Sequence, residues 1–297
     1  MKKIFSSQQL QDDFYDNGFV EIGPLDTTDI DKLVSGYNDL RPDDKFDPEV
    51  NNVNPYNTST YHCTFLDTNI NYKKQVQALI RKNITHYVEK YLIDYKILQA
   101  SFYVKPPHKG EFQIHQNWPC LMDDRQTSLT LWIPLISTNE QNATVCFVKG
   151  SHKIFNNIES PNVPPFFENY KKQLIKKYLK PYPVKAGKAL LFCDSIIHYS
   201  GINLSHTPRV AIQVTLIPVN SETVLYYIDK NDPSSKVEIF KVDPNFFIVN
   251  SIDSAINRPD QCELIDKIKN PNEEVPLETF KYRLKNHNNI RRKFYSL

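Results

Sequence analysis

Closely spaced cysteine pairs are missing from this sequence. Its five cysteines, Cys63, Cys120, Cys146, Cys193 and Cys262, are scattered. Zinc motifs and secreted disulfide frameworks both demand paired spacing, so neither is supported. A strong charge of one sign is missing too: 36 Lys and Arg against 34 Asp and Glu leave a formal net charge of +2. So small an excess exerts no general pull toward nucleic acid or an anionic membrane. No apolar run approaches the roughly 20 residues that a membrane helix requires. Met1-Lys2-Lys3-Ile4-Phe5 opens like a targeting segment, but Ser6-Ser7-Gln8-Gln9 interrupts any apolar stretch. A cytoplasmic chain is expected, without nucleic-acid or membrane partners, and nothing fixes an oligomeric state. Internal repeats and low-complexity segments are also lacking.

What is present is an ordinary globular composition, 40% hydrophobic and 24% charged over 297 residues, enough for a single large domain. Residues 7–16 and 27–39 have helical spacing, the second introduced by Thr27 and Thr28 ahead of acidic residues. Asn17-Gly18 reads as a turn and Phe19-Val20-Glu21-Ile22 as a short strand, whereas 41–60 reads as loop. Val76, Leu79, Ile80, Ile84, Val88 and Leu92 recur at helical spacing over about 70–93. From 95 onward the texture becomes strands separated by turns: 96–104, 112–116, 128–135, 144–148, 188–193, 196–199, 209–219, 224–228 and 236–241. Many short strands after a helical block predict a mainly β fold with flanking helices, a two-sheet sandwich or barrel. The expected organisation is one domain over 1–297, with N-terminal helical support (7–94), a β core (95–245) and a C-terminal extension (246–297). An insertion at 155–183 carries a helix-like apolar stripe, which fits either a surface helix docked on the sheet or a lid over a pocket. Residues 277–297 interleave basic and apolar side chains and read as a docked amphipathic helix with a solvated basic face.

The chemistry concentrates around two histidines. His115 and Asn117 flank Gln116 just past a strand, so their side chains point the same way. His198 follows the apolar pair Leu190-Leu191-Phe192-Cys193 and Ile196-Ile197, and Arg209 opens the apolar strand Val210-Ala211-Ile212-Gln213-Val214. Two histidines and one short oxygen donor suit a non-haem iron(II) site, and a nearby guanidinium can hold a dicarboxylate through its planar fork. Chance pairing among eight histidines, with each residue in a structural role, is the competing reading.

A series of motifs adds to this. Gly18-Phe19-Val20, Lys105-Pro106-Pro107, His115-Gln116-Asn117-Trp118, Leu131-Trp132-Ile133-Pro134-Leu135, Lys149-Gly150-Ser151-His152-Lys153, His198-Tyr199-Ser200-Gly201-Ile202-Asn203 and Pro208-Arg209-Val210-Ala211 occur in that order. In that order and at those intervals the chain resembles the phytanoyl-CoA dioxygenase family of iron(II)- and 2-oxoglutarate-dependent oxygenases, over about residues 10–245. The resemblance implies a double-stranded β-helix, a cupin-like jelly roll, with iron held by His115, Asn117 and His198. It further implies that Arg209 and Ser200 hold the distal carboxylate of the cosubstrate 2-oxoglutarate. Trp132 would line that pocket, with Gln99 or Tyr103 as further candidates. The implied reaction turns 2-oxoglutarate into succinate and hydroxylates a small-molecule or amino-acid-like substrate. His152, in the Gly-Ser-His turn, is expected to be structural.

Position 117 departs from the family, which has Asp there. An amide oxygen is neutral and a poorer ligand than a carboxylate. Three readings stay open: iron still binds and activity survives; another acid (Glu111, Asp123, Asp124 or Asp194) substitutes; or the chain is a catalytically degenerate binding protein on an oxygenase fold. Asn142-Ala143-Thr144 is a second departure from the family's Asn-Gly-Ala, tolerated if the turn needs no positive φ.

Overall fold

The structure, a computed structural model, describes residues 3–40, 61–123, 126–155, 157–229, 231, 236–250 and 256–286. Helices α1 (Gln8–Asn17), α2 (Thr27–Asp39) and α3 (Ile70–Tyr91) form where apolar residues recur at helical spacing. The cap of α2 is Asp26 rather than a threonine: its carboxylate accepts from the Thr28 N–H at 2.7 Å. Gly18 ends α1 at φ 83° and lies so close to His152 that an added Cβ would come within 2.5 Å of Nδ1. His152 Nε2 in turn meets the Tyr15 carbonyl at 3.1 Å, tying the Gly-Ser-His turn to the end of α1 in the structural role expected.

Period-two alternation then decides which side chains meet. The strands are β1 (Phe19–Ile22), β2 (His62–Cys63), β3 (Tyr95–Lys105), β4 (Phe112–His115), β5 (Leu129–Pro134), β6 (Cys146–Phe147), β7 (Lys180–Pro181), β8 (Ala189–Cys193), β9 (His198–Ser200), β10 (Arg209–Pro218), β11 (Val224–Ile228), β12 (Lys236–Lys241) and β13 (Glu263–Lys269). A six-stranded sheet in the order β1-β8-β5-β10-β3-β2 accompanies a four-stranded one, β4-β9-β6-β7, both antiparallel. On the large sheet, Ala100, Phe102, Leu131, Ile133, Leu191, Ile212 and Val214 pack with Val76, Ile80 and Ile84 of α3. The alternate set, including Gln99, Tyr103, Lys105, Trp132, Arg209 and Gln213, points away from the helices into cavities between the sheets. One face of the sheet thus makes the core and the other carries the polar groups. This is the mainly β jelly roll with flanking helices that the motifs implied.

Three strands escaped the sequence reading. β2 and β7 are two residues long, and β13 mixes charged and apolar side chains without a period-two pattern, on the edge of a separate sheet, β11-β12-β13. The loop expected at 41–60 and the basic residues Arg291, Arg292 and Lys293 lie outside the described residues. Helix α4 (Leu277–Lys285) buries Phe280 and Leu284, as its amphipathic spacing predicted. In the insertion, residues 166–178 form a run of irregular helical turns that buries Phe167, Tyr170 and Leu174 against Ile114, Ile197 and Phe280. That part is docked rather than poised over a pocket. The preceding stretch, from Glu159 to Pro165, does line a cavity.

Ala143 corrects an expectation, since its φ is 61° and the turn does demand the left-handed region. For a residue with a Cβ this conformation costs roughly 1–2 kcal/mol, partly offset by the extra chain entropy of glycine in the unfolded state. Ala143→Gly is therefore expected to stabilise the protein by about 0.5–1 kcal/mol, read as a rise in Tm of roughly 1–4 °C. A lower Tm in that variant would show that the turn carries no strain.

Candidate active site

The site begins with a register. β4 and β9 pair antiparallel so that His115 stands opposite His198 and Phe112 opposite Ser200. The two imidazole centroids are 4.1 Å apart. Each ring anchors its Nδ1 on a main-chain carbonyl two residues back: His115 on Gln113 at 2.8 Å and His198 on Ile196 at 3.0 Å. A carbonyl only accepts, so Nδ1 carries the proton and Nε2 keeps its lone pair. Burial pushes the His115 pKa down to about 4. His198 is held well below the ordinary histidine value by burial and then by the neighbouring His115. Two neutral rings whose Nε2 atoms keep their lone pairs are what a divalent metal requires.

Asn117 stands beside them, and its side chain is within hydrogen-bonding reach of His115. Its Nδ2 donates to Thr130 Oγ1 at 2.8 Å and to Asp194 Oδ1 at 2.9 Å. Thr130 also donates to Asp194 at 2.7 Å. The amide is therefore oriented: nitrogen toward the buried acid, oxygen left over. Of the three acids weighed as substitutes that fall among the described residues, only Asp194 touches this centre. Glu111 accepts from Tyr199 and pairs with Lys171 at 3.1 Å, Asp123 lines a different cavity, and Asp124 lies outside the described residues. Among the described residues no three His, Cys, Asp or Glu side chains gather into a metal cluster, because the third position here is an amide.

Two cavities meet at His115. The smaller, about 40 Å³, contains His198, Trp132, Ser200, Lys105 and Arg209. The Arg209 guanidinium carbon sits 5.6 Å from the centre of the Trp132 ring. Arg209 is 3% exposed, and its Nε and Nη1 find no hydrogen-bond partner. Burial lowers its pKa to about 10. Lys105 was quoted in the sequence only as part of a motif, yet it points into the same cavity. Its Nζ donates to Ser200 O at 2.8 Å, Ser200 Oγ at 2.6 Å and Gly201 O at 2.7 Å. Burial and then Arg209 push the lysine well below its usual range. Two buried cations without a carboxylate partner make this a site for an anion. Ser200 reaches the cavity, but its hydroxyl proton goes to the Ala143 carbonyl at 2.8 Å, so it braces Lys105 and is not itself a free donor.

The larger cavity, about 160 Å³, is lined by Asn117, Trp118, Phe65, Gln99, Glu159 and Asp194 among others. Gln99 opens only into this cavity and not beside Arg209, whereas Tyr103 borders both. Gln213, which the sequence reading passed over, also borders both; strand alternation from Arg209 would have placed it there.

Comparison with known proteins agrees with this geometry. The phytanoyl-CoA dioxygenase family profile matches residues 24–211. A Dictyostelium discoideum protein described provisionally as a phytanoyl-CoA dioxygenase is 29% identical over 134 residues, 43% of this chain. The chain spans only 38% of that relative's length. Among solved structures, the non-haem α-ketoglutarate-dependent carbocyclase SnoK of nogalamycin biosynthesis aligns over 73% of this chain and 86% of its own, with a TM-score of 0.53 at 15% identity. HygX of Streptomyces hygroscopicus, solved with nickel, 2-oxoglutarate and hygromycin B, aligns over 72% and 88%, with a TM-score of 0.51 at 15% identity. EctD of S. alaskensis, solved with 2-oxoglutarate and 5-hydroxyectoine, aligns over 73% and 78%, with a TM-score of 0.51 at 17% identity. At such identities the likeness establishes the shared fold. No helix among the described residues is long and apolar enough to cross a membrane.

The lowered histidine values have a direct readout. A ring whose folded pKa is about 4 stays neutral as pH falls past its ordinary value. In metal-free protein the His115 and His198 ring signals are expected not to titrate by NMR between about pH 8 and about pH 5. A midpoint near the free-histidine value would mean that the rings are solvated and the pocket is open.

Proposed function

Because the chain belongs to the phytanoyl-CoA dioxygenase family, we propose that it is an iron(II)- and 2-oxoglutarate-dependent oxygenase acting on a small-molecule or amino-acid-like substrate. The observation that carries the reading is the buried, unpartnered guanidinium of Arg209 in a cavity walled by both histidines. A charge left so deep without a counter-ion is costly unless an anionic ligand completes it.

In this reading His115 and His198 present Nε2 to the metal, and their Nδ1–carbonyl bonds fix the tautomer and aim the rings. Asn117 offers its amide oxygen. Its nitrogen is turned toward Asp194, so the acid's negative charge stands one residue behind the metal instead of on it. Arg209 forks onto the distal carboxylate of 2-oxoglutarate while Trp132 packs against the guanidinium. Lys105 supplies a second positive charge, held in place by Ser200. Iron and 2-oxoglutarate, once bound, supply the oxidising power to hydroxylate an unactivated C–H bond, with succinate as coproduct. The protein aims the substrate and excludes water with the aromatic walls of Tyr61, Tyr103 and Phe112. Asn117 favours a second reading, a binding protein that keeps 2-oxoglutarate but turns over little or nothing, since one ligand charge is missing.

Anaerobic titration of metal-stripped protein with iron(II) and 2-oxoglutarate separates the two. A visible charge-transfer band followed by succinate on admitting oxygen is expected of the oxygenase. A band without succinate marks the binding protein, and no binding of either component overturns both. Arg209→Ala is expected to weaken 2-oxoglutarate about 30-fold or more, since removing one partner of a buried charged pair costs about 2 kcal/mol or more. Unchanged affinity would remove Arg209 from the site.

Asn117→Asp tests the third ligand. It sets a carboxylate where Nδ2 now lies 2.9 Å from Asp194, so like charges oppose each other until a cation arrives. The metal-free variant is expected to melt below wild type, yet to gain more in Tm from manganese(II), a redox-quiet stand-in for iron(II). Asp194→Asn should relieve the metal-free loss. Equal manganese-induced shifts in wild type and Asn117→Asp would place residue 117 outside the ligand set.

A further inference from the structure

Glu159 is an acid that the proposed chemistry leaves unused. It comes from the insertion, in the stretch before the docked helical turns, and reaches into the larger cavity. Its side chain is buried, with the residue 4% exposed. Oε2 accepts from the Phe166 N–H at a long 3.5 Å, the Gln116 N–H points at the carboxyl, and Oε1 makes no hydrogen bond. No lysine or arginine lines this cavity among the described residues. An acid buried to this extent normally carries a counter-ion or a full set of donors. Here the acid lines a space walled in part by aromatic rings, with no lysine or arginine beside it among the described residues.

The polarity of the two cavities is opposite. The smaller holds two buried cations, Lys105 and Arg209, and the larger holds two buried acids, Glu159 and Asp194, with His115 bordering each. Trp118 and Phe65, 6.0 Å apart in an edge-on pair, and Phe112 give the larger cavity ring faces as well. A buried carboxylate among aromatic faces recognises an ammonium group, by charge on one side and by the ring quadrupoles on the others. An anionic substrate would meet two acids there and no cation.

We propose that the larger cavity is a substrate site for a protonated amine and that Glu159 is the residue that selects it, its carboxylate pairing with the substrate ammonium. This rests on the oxygenase reading only for calling the ligand a substrate; the amine site itself stands on Glu159 and the cavity. In the ligand-free cavity burial raises the Glu159 carboxyl to about 8, and a cation seated against it favours the charged form again.

The test uses the full chain and three probes of similar shape: phenethylammonium, phenethyl alcohol and phenylpropionate, followed by calorimetry or ligand-observed NMR. Phenethylammonium should bind at least about tenfold more tightly than the alcohol, with phenylpropionate weakest, and Glu159→Gln should bring the amine down to the level of the alcohol. Binding of 2-oxoglutarate, measured in the same preparations, should be unchanged in Glu159→Gln, which also reports that the variant is folded. Equal affinity for amine and alcohol in wild type, no amine binding at millimolar concentration, or an unaffected Glu159→Gln would each overturn the proposal. Because the preference among probes is read in wild type, a variant that fails to fold leaves the test intact. Amine failure with 2-oxoglutarate binding intact sinks only this inference, whereas loss of 2-oxoglutarate binding with amine selectivity intact sinks only the oxygenase reading.

Discussion

The pairing of β4 with β9 is the constraint on which the site depends. It sets His115 across from His198 and Phe112 across from Ser200, joining segments distant in the chain into one ladder of the smaller sheet. Once that register holds, each imidazole finds the carbonyl two residues back for Nδ1, and the Nε2 atoms turn toward the space between the sheets. A slip by one residue would flip both rings to the opposite face, where Ile114 and Ile197 now pack with Phe155 and Phe167. The apolar back of the ladder therefore protects the polar front. The docked turns of the insertion and helix α4 contribute to the site in this indirect way, by burying that back face.

The large sheet uses the same device. β3, β5 and β10 present apolar residues to the helices and polar ones inward. Lys105 and Arg209 are adjacent across the β10–β3 ladder, an arrangement that opposes like charges. Three oxygen acceptors hold the lysine, and none holds Nε or Nη1 of the arginine. An anionic ligand in this cavity would offset the cost of that arrangement.

Much of this was legible in the sequence because alternation, turn residues and spaced motifs are local signals. His115, His198, Arg209 and Trp132 were each placed by strand periodicity or motif, and the structure brings them around one cavity. Lys105 and Gln213 were equally available by counting in twos from Tyr103 and Arg209, but a lysine at the end of a strand reads as solvated unless its neighbours are known. Ser200 was found and its donor role was not, because its hydroxyl partner, Ala143, comes from another loop. Ala143 itself was misjudged, since φ is a property of the turn and not of the residue type. Glu159 and Asp194 had no local signal at all. The first sits in an aperiodic insertion, and the second resembles any surface acid until Asn117 and Thr130 close around it.

That closure bears on the amide at position 117. Were 117 an aspartate, two carboxylates would meet beside His115 and His198, and the metal-free protein would carry both charges buried. With asparagine the pair becomes a donor and an acceptor at 2.9 Å, stable without any ligand. A buried acid, Asp194, stands one hydrogen bond behind residue 117 and orients its amide. Asp194 borders the larger cavity with Glu159, so that lobe keeps its acids although residue 117, which also lines it, is neutral. A neutral amide in front and an acid held behind it then form one hydrogen-bonded unit, and weaker metal binding there need not mean that function was lost.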